Sequence, residues 1–135
     1  MKVKIHTGNS INELHKLLIT GKPVFVIIDD NLQHLAEHFR QFPLYFFKAS
    51  EKRKTLESVV EIAQWLLEQG ADRNSLVLGV GGGITTDVTG FAASIYKRGV
   101  KFAFVPTTLL AQVDASVGGK TGVNFETYKN MLGVI

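Results

Sequence analysis

Short apolar runs alternate along this chain with stretches in which apolar residues recur every three or four positions. Val3–His6 reads as an opening strand, and Ser10 as the cap of a helix with Ile11, Leu14, Leu17 and Leu18 on one face, stopped by Gly21. Val24–Ile28 is a continuous apolar run, the mark of a strand buried on both faces, and it ends in Asp29 and Asp30. From Asn31 the spacing predicts a helix with Leu32, Leu35, Ala36 and Phe39 inward, and Leu44–Phe47 is a further strand. Thr55–Gln69 is the clearest helix, with Leu56, Val59, Val60, Ala63, Leu66 and Leu67 forming a wide apolar stripe before Gly70. Leu76–Val80 is another buried strand, followed by Gly81, Gly82 and Gly83. Asp87–Lys97 reads as a helix with Val88, Phe91, Ala92 and Ile95 inward, closed by Gly99, and Phe102–Val105 as a strand ended by Pro106. Beyond it the pattern predicts a short helix over Leu109–Val113 and then a glycine-rich polar loop to Ile135.

Repeated strand–helix–strand units predict an α/β fold, a Rossmann-like parallel sheet with helices on both faces. Such sheets bind ligands outside the carboxyl ends of their strands. The glycine and polar residues gather there: Asp29, Gly81–Gly83 and Thr107–Thr108. No internal repeat and no linker divides the chain.

The 135 residues suit one domain with a core, and 45% hydrophobic with 20% charged residues is ordinary for a globular protein. No apolar run reaches the roughly 18 residues of a membrane span, and the start lacks a secretory h-region, so no membrane partner is expected. The absence of cysteine excludes disulfides and thiolate chemistry and fits the cytoplasm. Fifteen basic against twelve acidic side chains, net charge +3, are too few and too dispersed for a nucleic-acid partner. The densest basic stretch is Lys48, Lys52, Arg53 and Lys54. It is either a solvated helix start, with Arg53 paired to Glu57, or a group facing an anion, since positive charge at a helix N-terminus opposes the macrodipole.

Three constellations are candidates for chemistry. The triple glycine between a strand and a helix would let backbone amides approach a diphosphate, although it departs from G-x-G-x-x-G and also suits a plain tight turn. Asp29 can accept hydrogen bonds from ribose hydroxyls or cap the next helix. In PTTLLAQVDASVGGKTGVNFETYKN, the side chains of Asp114, Lys120, Asn124, Lys129 and Asn130 can converge on a polyhydroxylated anion or lie scattered on a surface loop. His34 and His38 are spaced four apart, but H-L-A-E-H is not H-E-x-x-H and they read as solvated histidines.

The runs GVGGGITTDVTGFAASIYKRGVKFAFVPTTLLAQVDASVGGKTGVN and YKNMLG closely resemble 3-dehydroquinate synthases, most densely from Leu78 to Gly133. The G-G-G-x-x-x-D-x-x-G-F block is shared with other sugar-phosphate cyclases and, more loosely, with polyol dehydrogenases. The combination of P-T-T-L-L-A-Q-V-D-A-S-V-G-G-K-T with K-N-M is much more specific.

The resemblance implies a phosphate-eliminating lyase of the shikimate pathway that converts 3-deoxy-D-arabino-heptulosonate 7-phosphate, a phosphorylated sugar acid, to 3-dehydroquinate. It implies NAD as cofactor, a divalent metal (zinc or cobalt), and a homodimer. By motif, Asp29, Glu51, Lys54, Gly82, Gly83, Asp87, Thr107, Thr108 and Lys129 would face NAD. Asp114, Lys120 and Asn130 would face substrate, and Arg98 would reach the neighbouring subunit's substrate. Residues 1–135 are then expected to be the NAD-binding domain, inactive alone, with the metal ligands in a following helical domain. Ser50 stands where the family often has glycine, and Thr85 and Thr86 where it has small or aliphatic residues. Other readings are another sugar-phosphate cyclase, a polyol dehydrogenase domain, and a nucleotide-binding module without catalysis.

Overall fold

The computed structural model describes residues 11–18, 21–108, 110–112 and 120–134. The strand expected at Val3–His6, the Ser10 cap and Asp114 lie outside them. Four strands, β1 (Val24–Asp29), β2 (Leu44–Phe47), β3 (Leu76–Gly81) and β4 (Lys101–Pro106), form one sheet in the order β2-β1-β3-β4. All three pairings are parallel. Each strand falls on the apolar run that predicted it; the central strands β1 and β3 are buried at successive positions, as a strand covered on both faces must be, whereas the edge strands β2 and β4 are buried only in part. In β1, Phe25 and Ile27 join a core with Val59, Ile62 and Leu66 of helix α3 (Leu56–Glu68) and with Val88 and Ala92 of helix α4 (Gly83–Ile95). Val24, Val26 and Ile28 join a second core on the other face, with Leu18 of helix α1 (Ile11–Leu18) and with Phe39. Helices therefore cover both faces, as expected.

The chain visits β1, then β2 on one side, then β3 on the other. The order reverses between β1 and β3, which opens a crevice outside their carboxyl ends. Ile28 pairs with Val80, so Asp29 and Gly81 close adjacent strands at the same end of the sheet.

Several local expectations are corrected. Residues 30–39 are not one helix. They form a 3-10 turn (Asp30–Leu32), a single α turn, α2 (Gln33–Ala36), and a second 3-10 turn (Glu37–Phe39). The stripe on α3 is narrower than its apolar content: Val59, Ile62 and Leu66 are buried, whereas Val60 and Leu67 are 58% and 59% exposed. Ile95, too, is exposed. Helix α4 begins at Gly83, one turn before Asp87, and buries Thr85, Thr86 and Thr89. Tyr96 ties the end of α4 to the turn before β3 by donating its buried hydroxyl to Ala71 O at 2.9 Å.

The largest correction concerns residues 120–134. They form an antiparallel hairpin, β5 (Thr121–Phe125) and β6 (Tyr128–Val134), where a polar loop was expected. The hairpin lies on α4 and adds Val123 and Leu132 to the first core. Gly90 permits this approach, since a Cβ there would overlap Thr121 Cγ2 and lie 2.9 Å from Phe104 Cζ.

Candidate functional site

The carboxyl end of the sheet gathers most of the predicted residues, each for a local reason. Asp29 ends β1, and its Oδ1 accepts the Asn31 N–H at 2.9 Å, capping the 3-10 turn. One oxygen thus serves the backbone, and a carboxylate retains further acceptor positions for a ligand. Asp30 does not share the capping role, because its Oδ1 accepts instead from Gln33 Nε2 at 2.9 Å.

Gly82 is the N-cap of α4 and offers no side chain to cap it. The first bond of the helix runs from the Thr86 N–H to Gly82 O at 3.0 Å, so the amides ahead of it point out of the helix end toward the crevice. A Cβ on Gly82 would lie 3.0 Å from Thr108 Cγ2. The turns after β3 and β4 are thus in contact, and the Thr107 N–H donates to Gly81 O at 2.9 Å. Thr108 in turn starts the helical turn at residues 110–112, with its Oγ1 accepting the Ala111 N–H at 3.2 Å.

Glu51 lies in a 3-10 turn (Glu51–Arg53) after β2, and Lys54 follows it. Lys54 is 7% exposed. Its Nζ lies 2.7 Å from Asp87 Oδ2 on α4 and donates to Asn130 Oδ1 on β6 at 2.5 Å. An ammonium carries three N–H donors, and these two contacts leave one direction for a ligand. The basic stretch is therefore divided. Lys54 faces inward, while Arg53 pairs with Glu61 at 2.7 Å, not with Glu57, and lies over the Phe47 ring. Burial raises the pKa of the nearby Tyr45 phenol above its ordinary value, and the Glu61 charge adds to the effect.

The hairpin brings in the polar segment. Asn130 has φ 52°, in the left-handed region, beside a register shift between Val123 and Phe125. Such an irregularity re-aims a side chain, and asparagine tolerates this backbone better than most residues. Lys120, just before β5, and Lys129, on β6, are exposed. Asn124 links the hairpin to the Glu51 turn, donating from Nδ2 to Glu51 Oε1 at 2.9 Å. The sequence offers Asn124 as one of the side chains that can converge on a polyhydroxylated anion; its carboxamide is instead bonded to Glu51 and to the Asn130 N–H. Arg98 is not brought into this cluster. It follows the far end of α4, 13 residues long and so about 20 Å, and is exposed with φ 67°. Asp114 lies outside the described residues. Among those residues, no three His, Cys, Asp or Glu side chains converge as a metal site.

Comparison with known proteins gives a consistent picture. Residues 44–135 match the family model described as 3-dehydroquinate synthase N-terminal. A 3-dehydroquinate synthase from Pelagibacter ubique is 48% identical over 93% of this chain and 34% of its own length. One from Clostridium tetani is 37% identical over 98% of this chain and 39% of its own. The chain thus spans somewhat over a third of the length of these relatives. A 2-deoxy-scyllo-inosose synthase solved with carbaglucose-6-phosphate, NAD+ and Co2+ superposes with a TM-score of 0.81 at 30% identity, over 94% of this chain and 38% of that one. A 2-epi-5-epi-valiolone synthase from Streptomyces hygroscopicus with NAD+ and Zn2+ bound gives 0.82 at 30%, over 99% and 42%. A probable glycerol dehydrogenase from Sinorhizobium meliloti, at 23% identity and a TM-score of 0.69, shares the fold.

Proposed function

The chain belongs to the 3-dehydroquinate synthase family, matching its N-terminal domain, and from that membership we propose that it is the nucleotide-binding domain of an enzyme converting 3-deoxy-D-arabino-heptulosonate 7-phosphate to 3-dehydroquinate and phosphate. The observation that carries the reading is the gathering of Asp29, the Gly82–Gly83 turn and the Lys54–Asp87–Asn130 network at one end of the sheet.

The residues present fit a dinucleotide. The uncapped start of α4 offers backbone amides to a diphosphate, and Gly82 keeps that approach free of a Cβ. Asp29 retains carboxylate capacity for ribose hydroxyls, and a 2′-phosphate beside it would be repelled, so NAD is favoured over NADP. Glu51, Lys54, Asp87, Thr107, Thr108 and Lys129 complete the wall around the cofactor. NAD, when bound, supplies a reversible hydride acceptor. The chain's own part is to orient. Lys54, fixed by Asp87 and Asn130, directs its remaining N–H toward the bound ligand, and Lys120 and Asn130 hold the anionic substrate with Asp114. Among the described residues no set of metal-ligating side chains converges, and in this reading zinc or cobalt is held by the rest of the enzyme.

Arg98 is assigned to a two-fold contact, where it would serve the neighbouring subunit's site. Its exposure and its distance from the local cluster support that assignment. A second reading, another sugar-phosphate cyclase, draws on the superposition with 2-deoxy-scyllo-inosose synthase. Calorimetric titration of the full-length protein with NAD and NADP tests the nucleotide assignment. Binding of NAD with little or no binding of NADP is expected, and equal binding of both would remove Asp29 from its role.

A further inference from the structure

The β5–β6 hairpin and the Glu51–Lys54 turn meet at Asn124. Its Nδ2 donates to Glu51 Oε1 at 2.9 Å, its Oδ1 accepts the Asn130 N–H at 3.0 Å, and its own backbone N–H donates to Lys54 O at 2.9 Å. A carboxamide donates on one side and accepts on the other, which neither a carboxylate nor an aliphatic side chain of this size can do. The residue that needs holding is Asn130. Asparagine tolerates a left-handed backbone without preferring it, and the bond from the Asn130 N–H to Asn124 Oδ1 holds the residue in that conformation. That backbone brings Asn130 Oδ1 to 2.5 Å from Lys54 Nζ, which also pairs with Asp87.

We propose that Asn124 is a positioning residue: it locks the bend at Asn130 against the Glu51 turn, and so sets the direction in which Lys54 presents its remaining N–H to the bound nucleotide. This inference rests on the nucleotide site proposed above. It differs from that reading in assigning a role to Asn124, whose carboxamide is bonded to Glu51 and Asn130.

The test is calorimetric titration of the full-length protein with NAD for the wild type, Asn124→Ala, Asn130→Ala and the double variant. If Asn124 acts through Asn130, each single substitution weakens NAD binding about tenfold, and the double variant binds no more than about twofold more weakly than Asn130→Ala. A purely structural role would shift the unfolding temperature without that non-additivity. Should Asn124→Ala fail to fold, Asn124→Asp with and without Glu51→Gln replaces it, because the pair can exchange donor and acceptor. Asn124→Asp alone should weaken NAD binding about tenfold, and in the Glu51→Gln background it should cost less than about threefold. Unchanged affinity in Asn124→Ala, an undiminished loss in the Asn130→Ala background, or no rescue by Glu51→Gln overturns the proposal. A wild type that binds no NAD overturns the nucleotide site itself, which separates the two failures.

Discussion

Lys54 and Asp87, 33 positions apart in sequence, form an ion pair with Nζ 2.7 Å from Oδ2, joining the turn before α3 to the first turns of α4. Both side chains are largely buried, so removing the Lys54 ammonium takes from the Asp87 carboxylate a charge partner that solvent replaces only in part. Lys54→Met should destabilise the protein by about 2 kcal/mol, below the range for full burial because Asp87 keeps some solvent contact. Urea unfolding measures it, and a loss under about 0.5 kcal/mol would place the pair with ordinary surface ion pairs.

Asp29 caps Asn31, and the proposed nucleotide site gives it a second, separable duty toward ribose hydroxyls. Asp29→Ala removes the cap on Asn31 and should cost about 1 kcal/mol of stability, together with about 1.5–3 kcal/mol of NAD affinity if a charged hydrogen bond is lost. Asp29→Asn keeps an acceptor for the Asn31 N–H. It should therefore hold stability near wild type while still weakening NAD. Paired thermal unfolding and calorimetry of both variants check this, and equal NAD affinity in all three proteins would leave Asp29 as a helix cap alone.

Gly82 has φ −83°, which any residue adopts, so substitution there costs contact and not backbone strain. Gly82→Val should clash with Thr108 Cγ2 and reduce NAD affinity by more than tenfold, at least about 1.4 kcal/mol. In the milder Gly82→Ala, adding Thr108→Ser removes the offending methyl and should recover part of the loss. Titration of the three variants decides.

The fold was legible in the sequence wherever burial alone dictates it. The four strands fall on their apolar runs, and Asp29, Gly81–Gly83 and Thr107–Thr108 meet at one sheet end as strand-end logic requires. The hairpin was not legible. Thr121–Val134 carries two glycines and many polar groups, and its packing on α4 depends on a contact between Thr121 and Gly90 that periodicity does not show. Periodicity also overstated the inward face of α3, since Val60 and Leu67 are apolar yet exposed. Within the site, residue types were readable but partners were not. Nothing in the sequence pairs Lys54 with Asp87, or places Asn124 between Glu51 and Asn130, because both links depend on how separate elements meet.

Tyr96 gives a prediction in alkaline solution. Its pKa is raised above the ordinary 10.0, mainly by burial and then by the Asp72 charge, and its neutral hydroxyl donates to Ala71 O. A group with a raised folded pKa contributes stability that is full below its unfolded pKa and is lost as pH rises through the folded one. Unfolding free energy should therefore decline above about pH 10. Tyr96→Phe should cost about 1 kcal/mol at neutral pH and make the alkaline decline shallower. An unchanged slope would show that other groups carry it.

The most direct measurement is product formation by the full-length protein supplied with NAD, zinc and 3-deoxy-D-arabino-heptulosonate 7-phosphate. Equimolar release of phosphate and 3-dehydroquinate, with no net consumption of NAD, is the result expected. Absence of both products under these conditions would contradict it.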